Sequence, residues 1–246
     1  MPLITLLSDF GHKDPYVGIM KGVILGLCPE ARLVDLTHEV APQDVAEGAF
    51  QLAASCRWFP EHTVHLAVVD PGVGGSRRPL VARGRRFSYV GPDNGLLSLA
   101  WEQDEPVAVH QIENFTLQTP SRTFHGRDVF APVAAALARG VGLAEIGPPV
   151  TNSVRLVQET EPQILHIDGF GNLVTSVRRE PGRELESVAV GWRTAPVKET
   201  FSQVGPGELV AYWGSLGFLE IAMNGGNAAE DMGVERGTQV RLNDRK

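Results

Sequence analysis

The chain has 246 residues, 43% of them hydrophobic and 21% charged, which is the balance of an ordinary globular protein and excludes a disordered or fibrous one. Its formal net charge of -7 comes with no basic stripe to neutralise phosphates, so nucleic acid is excluded as the main partner. No apolar run reaches membrane-spanning length and no signal peptide opens the sequence, so a cytoplasmic protein without a membrane partner is expected, with Cys28 and Cys56 as reduced core thiols.

Leu3 to Leu7 is a short apolar strand that ends in Ser8-Asp9-Phe10-Gly11. Asp14 to Leu27 places Val17, Met20, Ile24 and Leu27 on one face and reads as a helix, with Pro15 in its first turn and Pro29 past its end. Arg32 to Leu36 is a second strand, closing at Thr37-His38, and Val45 to Phe59 is a second helix. His62 to Val69 is a β-branched strand that stops at Asp70, where Pro71 and Gly72 break it and Gly74 and Gly75 free the loop. This β-α-β-α-β alternation calls for a mostly parallel sheet with right-handed crossovers.

Shorter β-like runs follow at Leu80 to Ala82, Phe87 to Val90 and Val107 to Ile112. Asp93 or Asn94 is placed to cap a helix from Leu96 to Trp101. Thr123 to Asp128 leads into a helix from Val129 to Ala138, which Asp128 is expected to cap. Helical patterns then disappear after about residue 160. Runs at Ile164 to Ile167, Leu173 to Val177, Ser187 to Trp192, Leu209 to Trp213, Phe218 to Ala222 and Thr238 to Leu242 read as a small antiparallel barrel or sandwich. The fold class expected is thus an α/β domain over 1–155 followed by a small all-β domain over 162–246.

Three strands of the first domain end in polar residues: Asp9, Thr37-His38 and Asp70. In a parallel sheet such ends share one rim, where ligands bind. His125, in a loop before a helix, can face the same rim, and Arg77 or Arg78 can reach in from the glycine loop. Two acids and a histidine around one crevice can orient and deprotonate a water. The same residues also read as a capped turn with solvated arginines. In the second domain, Asp168-Gly169-Phe170-Gly171-Asn172 can hold an ammonium and a flat ring, and can equally be a hairpin turn, the reading favoured by spacing alone. Ser215 with Met223-Asn224-Gly225-Gly226-Asn227 has the same ambiguity. Gly72-Val73-Gly74-Gly75 does not complete a dinucleotide fingerprint, and no P-loop or nucleophile elbow is present; Asp70, His125 and Asp128 are a candidate metal set, but no H-x-x-x-H or paired His–carboxylate motif supports it.

With these residues in view, the chain resembles the S-adenosyl-L-methionine hydroxide adenosyltransferase family (SAM hydrolases), the hydrolytic relatives of fluorinase and chlorinase. The motifs are Ser8-Asp9-Phe10-Gly11, Asp35-Leu36-Thr37-His38, Val69 to Gly74, Gly91 to Gly95, Thr123 to Asp128 and Ile167 to Asn172, in one order along nearly the whole chain. The resemblance implies attack of hydroxide from water on ribose C5′ of S-adenosylmethionine, releasing adenosine and methionine. It implies a water-handling set of Asp70, Arg77 and His125; no metal and no cofactor are expected. It implies ribose binding by Asp9, a methionine site of Asp14, Asp168 and Ser215, and adenine recognition by Asn172 and the backbone at Asn224 and Gly225, with Phe170 and Phe201 against the ring. It also implies a homotrimer with sites between subunits. Gln43 and Leu216 depart from the halogenating relatives, which have an aromatic and an arginine there. Those relatives also carry a tyrosine in place of Asp70 and a small residue in place of His125. The alternatives are a halide-dependent adenosyltransferase, a non-catalytic module binding adenosine or S-adenosylmethionine, and a metal-dependent hydrolase.

Overall fold

The computed structural model describes residues 1–105, 107–156 and 161–245. The chain divides into two compact units, Met1–Val157 and Gln158–Lys246.

The first unit is built on a six-stranded sheet. Its strands are β1 (Leu3–Ser8), β2 (Arg32–Thr37), β3 (Val64–Val68), β4 (Pro79–Arg83), β5 (Ser88–Pro92) and β6 (Ala108–Gln111), in the order β2-β1-β3-β5-β4-β6. β2, β1, β3 and β5 are mutually parallel, and β4 pairs antiparallel with both β5 and β6. β3 is buried along its whole length, as its unbroken apolar run requires. The helices α1 (Tyr16–Leu27) and α2 (Val45–Cys56) follow β1 and β2; α3 (Ser98–Glu102), α4 (Ala131–Ala138) and α5 (Leu143–Ile146) complete the unit. Two cores form, one per sheet face. Met20, Ile24, Val133 and Leu137 of α1 and α4 pack on Ile4, Leu66 and Val90. Ala49, Leu52, Ala100 and Trp101 of α2 and α3 pack on Leu7, Ala67 and Tyr89.

α2 begins at an N-cap, Asp44, whose carboxylate accepts from the Glu47 N–H. Asn94 likewise accepts from the Leu96 N–H, in front of α3, while Asp93 is engaged elsewhere. The expected cap at Asp128 is not what forms. Residues Gly126–Phe130 make a π-helical turn and α4 starts only at Ala131. Asp128 lies inside that turn, 1% exposed, and its carboxylate accepts from Arg127 and from the Ser121 N–H. It therefore pins the loop before the helix rather than the helix end.

The second unit has two antiparallel sheets. One joins β9 (Leu185–Val190), β10 (Arg193–Pro196) and β13 (Val240–Asp244); the other joins β7 (Ile164–Ile167), β8 (Leu173–Arg178), β11 (Leu209–Trp213) and β12 (Phe218–Met223). Leu173, Val188, Val190, Ala211, Leu219 and Ile221 fill the space they share. The expectation of no helix past residue 160 fails at a short one, α6 (Ala228–Met232), capped by Asn227 and stopped by Gly233 at φ 60°. Five residues are too few for a helical period to stand out in sequence. Cys28 and Cys56 are both buried and unpaired. Among the described residues, no helix is long and apolar enough to cross a membrane.

Candidate active site

The carboxyl ends of β1, β2 and β3 place Asp9, His38 and Asp70 along one rim, since all three strands run in the same direction. At the end of β3 the chain is held by Asn94, whose amide donates to the Val69 carbonyl at 2.8 Å. The loop then folds back so that Arg77 faces Asp70. Its Nε lies 2.9 and 3.0 Å from the two carboxylate oxygens, and its Nη2 donates to Oδ2 as well. Asp70 and Arg77 side chains are only 4% and 10% exposed, so this is a largely desolvated, fork-shaped pair.

Arg77 Nη2 also donates to His125 Nδ1 at 2.6 Å. The three residues therefore form one continuous chain, Asp70–Arg77–His125. Because a guanidinium only donates, His125 Nδ1 is the acceptor, and the neutral imidazole carries its proton on Nε2. Burial first and the Arg77 cation second push the His125 pKa below its usual value, which agrees with a neutral ring. Phe130 supports the pair from below, with the Arg77 guanidinium 5.4 Å from its ring centre.

Two glycines bring the 120s loop to this place. A Cβ on Gly74, at φ 73°, would meet the Arg122 carbonyl oxygen at 2.2 Å, so only glycine lets the two loops touch. A Cβ on Gly126 would press on Met20, Phe124 and Phe10. Arg78 goes elsewhere. It binds Asp93 at 2.8 Å and both the side chain and carbonyl of Asn152 at 2.9 Å, tying β4 to the chain after α5.

Asp9 is half-buried at the end of β1, and its Oδ2 accepts from the Gln43 N–H at 2.8 Å. Asp14 is exposed in the turn before α1. Three further groups on this rim were not singled out as site residues by sequence: Ser8, Asp35 and Lys21. Ser8 Oγ lies 2.6 Å from His38 Nδ1, His38 Nε2 lies 3.0 Å from Asp35 Oδ1, and Lys21 donates to Asp35 Oδ2 at 2.6 Å. The signal was present only as motif membership of Ser8 and Asp35.

In the second unit, Asp168 organises its own turn. Oδ1 accepts from the Phe170 and Asn172 N–H groups and Oδ2 from the Asn172 amide, each at 2.9 Å, with Gly171 at φ 81°. The hairpin-turn reading thus describes the local structure, and the same turn leaves Phe170 81% exposed. Asn224 donates to the Val204 carbonyl at 2.7 Å, with exposed Gly225 beside it, and Ser215 lies in the exposed turn between β11 and β12. Phe201, 54% exposed, stands 6.4 Å from the Tyr212 ring. Tyr212 and Glu220, which sequence reading missed, share a hydrogen bond near Asp168. Burial, with the like charge of Asp168 behind it, raises the Glu220 pKa above the usual carboxylate range. The two carboxyl groups make this face suited to a cation.

Residues 4–147 match the model of the SAM hydroxide adenosyltransferase N-terminal domain, and residues 162–241 that of its C-terminal domain. A protein of Thermus thermophilus named (R)-S-adenosyl-L-methionine hydrolase is 43% identical, over 97% of this chain and 98% of that one. A fluorinase of Actinoplanes is 28% identical over 98% and 97% of the two chains. A crystal structure of a conserved Thermotoga maritima protein superimposes with a TM-score of 0.92 at 35% identity, over 97% of this chain and 99% of that one. Both family models together span almost the whole sequence, and the chain belongs to the SAM hydroxide adenosyltransferase family.

Proposed function

We propose that the protein hydrolyses S-adenosyl-L-methionine to adenosine and L-methionine, and that it takes the (R) sulfonium epimer named for its relatives of 37–43% identity. The observation that carries this reading is the Asp70–Arg77–His125 chain on the sheet rim. Water attacks ribose C5′ in line with the departing sulfur. The sulfonium leaves as a neutral thioether, so the leaving group needs no acid, metal or redox cofactor. What the reaction needs is a held water, a charge that favours hydroxide and a place for the proton. Arg77 supplies the charge. His125 has its Nδ1 lone pair occupied by Arg77, so its Nε2–H donates to the water oxygen. Asp70 is then the one member of the three with lone pairs to accept the proton. A halide nucleophile has no proton to lose and gives such a set no work, which favours water over halide.

Asp9 is assigned to the ribose hydroxyls. Asp14, Asp168 and Ser215 are assigned to the methionine end. Asn172, Asn224 and Gly225 are assigned to adenine, with Phe170 and Phe201 against its ring. A homotrimer fits the exposed face of α1. There Gly18, Gly22 and Gly26 have open space above them and lie between Ile19 and Leu25, 38% and 42% exposed, a surface that a second copy of the chain can cover. Two buried unpaired thiols suit a cytoplasmic protein, and its acidic balance suits a cationic small molecule rather than nucleic acid.

Incubation of the pure protein with each epimer in halide-free, ¹⁸O-labelled water tests the proposal by mass spectrometry. Adenosine labelled at its 5′-oxygen, with equimolar methionine and from the (R) epimer, is expected. Turnover that requires added halide would move the assignment to an adenosyltransferase. Bound nucleoside without product would move it to a binding module.

A further inference from the structure

The strongest group left over by this mechanism is His38. It is 1% exposed, as is Ser8, so Ser8 is no nucleophile despite its serine–histidine–aspartate company. Its ring nitrogens have fixed roles. Nε2 faces the Asp35 carboxylate and must donate, so in the neutral ring Nδ1 accepts from the Ser8 hydroxyl. Ser8 Oγ in turn accepts from the Phe10 N–H at 3.3 Å, and the His38 carbonyl accepts from the Gly11 N–H at 2.7 Å. The Ser8-Asp9-Phe10-Gly11 segment is thus fastened on both sides of Asp9, while the Gln43 N–H holds one oxygen of the Asp9 carboxylate. Lys21 anchors the far end of the chain through Asp35. Burial opposes the charge on Asp35, but hydrogen bonds from Lys21 and His38 outweigh it and keep its carboxyl below the usual range.

We propose that Lys21–Asp35–His38–Ser8 is a positioning relay that aims the second oxygen of the Asp9 carboxylate at the ribose diol of the bound nucleoside. This rests on the assignment of Asp9 under the proposed function. The relay runs from α1 through β2 to β1, so the direction of Asp9 is set by three elements rather than by one loop. His38 and Ser8 act through Asp9 and touch no reacting atom.

Titration calorimetry of the intact protein with adenosine and with 2′-deoxyadenosine tests the relay. Wild type is expected to prefer adenosine by roughly tenfold or more, as befits a hydrogen bond to a charged acceptor. Ser8→Ala and His38→Gln are expected to bind adenosine about tenfold more weakly and 2′-deoxyadenosine within about threefold of wild type. His38→Gln keeps a donor toward Asp35 but loses the acceptor for Ser8. His38→Asn keeps an acceptor where Nδ1 stood but loses the donor toward Asp35, and is expected to recover part of the preference, about threefold short of wild type. Thermal melting identifies the folded variants. If folded Ser8→Ala or His38→Gln keeps the wild-type preference, or loses affinity for both nucleosides alike, the relay is overturned. No preference in wild type overturns the Asp9 assignment and the relay with it. A wild type that binds adenosine selectively through Ser8, yet releases none from S-adenosylmethionine, contradicts the proposed hydrolysis and leaves the relay standing.

Discussion

In the first unit Asp70 and Arg77 are 4% and 10% exposed and spend their hydrogen bonds on each other and on His125, whereas in the second unit Phe170 stands 81% exposed on a turn that Asp168 holds with its own carboxylate. The first arrangement is closed on itself. Its charges are paired, its histidine tautomer is set by its neighbour, and a water placed there meets a preorganised field. The second arrangement has its backbone tied by Asp168 but leaves aromatic and polar groups uncovered. The paired charges are thus held by buried packing at the sheet rim, and the uncovered groups of the second unit by turns, where exposure costs little.

This contrast can be broken by substitution. Arg77→Ala and Asp70→Ala are expected to have the largest effect, lowering kcat on the order of 10²–10⁴-fold while nucleoside binding changes far less. Arg77→Lys is expected to fall near them, since an ammonium cannot bridge Asp70 and His125 as a fork does. Steady-state kinetics beside calorimetry checks both, and equal loss of turnover and affinity would contradict the assigned roles.

Acid stability is the next effect. His65 is fully buried behind Phe59, Phe87 and Tyr89, and burial depresses its pKa to about 3. The unfolded chain takes up this proton below its ordinary value of 6.5 while the folded chain does not. Its stabilising contribution is therefore full above pH 6.5 and is lost as pH falls toward 3, by about 2–3 kcal/mol at pH 4.5. Urea unfolding at pH 7 and 4.5 measures this, and His65→Leu is expected to flatten that part of the slope. His125, depressed in the same direction, predicts an acid limb in kcat/KM. Its protonation puts a hydrogen on Nδ1 against Arg77, so activity falls as pH drops through a value below 6.5.

Arg78→Ala sharpens the comparison from within the same loop. It leaves Asp93, whose side chain is 4% exposed, with the Val154 N–H but without its charged partner, so a loss of about 1–3 kcal/mol in stability is expected with kcat within severalfold of wild type. Phe170→Ala is expected to have the smallest effect on folding, within about 0.5 kcal/mol, because the ring packs on little in its own unit. With Phe170 against the adenine ring as proposed, KM is expected to rise roughly tenfold.

Much of the fold was legible because local periodicity and punctuation agree. The strand at Leu3, the strand ending at Asp70 and the helix from Val45 each carry an unbroken apolar pattern and a turn or cap at the end. The start of α4 was not legible, because a π-helical turn and an α-helix share one apolar pattern. Asp128 was misread for the same reason: an acid before an apolar run looks like a cap, and only packing turned it toward Arg127 and Ser121. Tyr212 and Glu220 carry no motif and meet Asp168 only through strand pairing.

By itself the sequence determined the α/β and all-β halves, the polar strand ends and the family motifs, since these depend on residue type and near-neighbour spacing. Tertiary structure alone decided that Arg77 and not Arg78 bridges Asp70 to His125, that His125 carries its proton on Nε2, and that Ser8 and Asp35 share His38. Those choices turn on directions and distances of a few ångströms between groups 3 to 48 residues apart, which chain spacing does not encode and packing does.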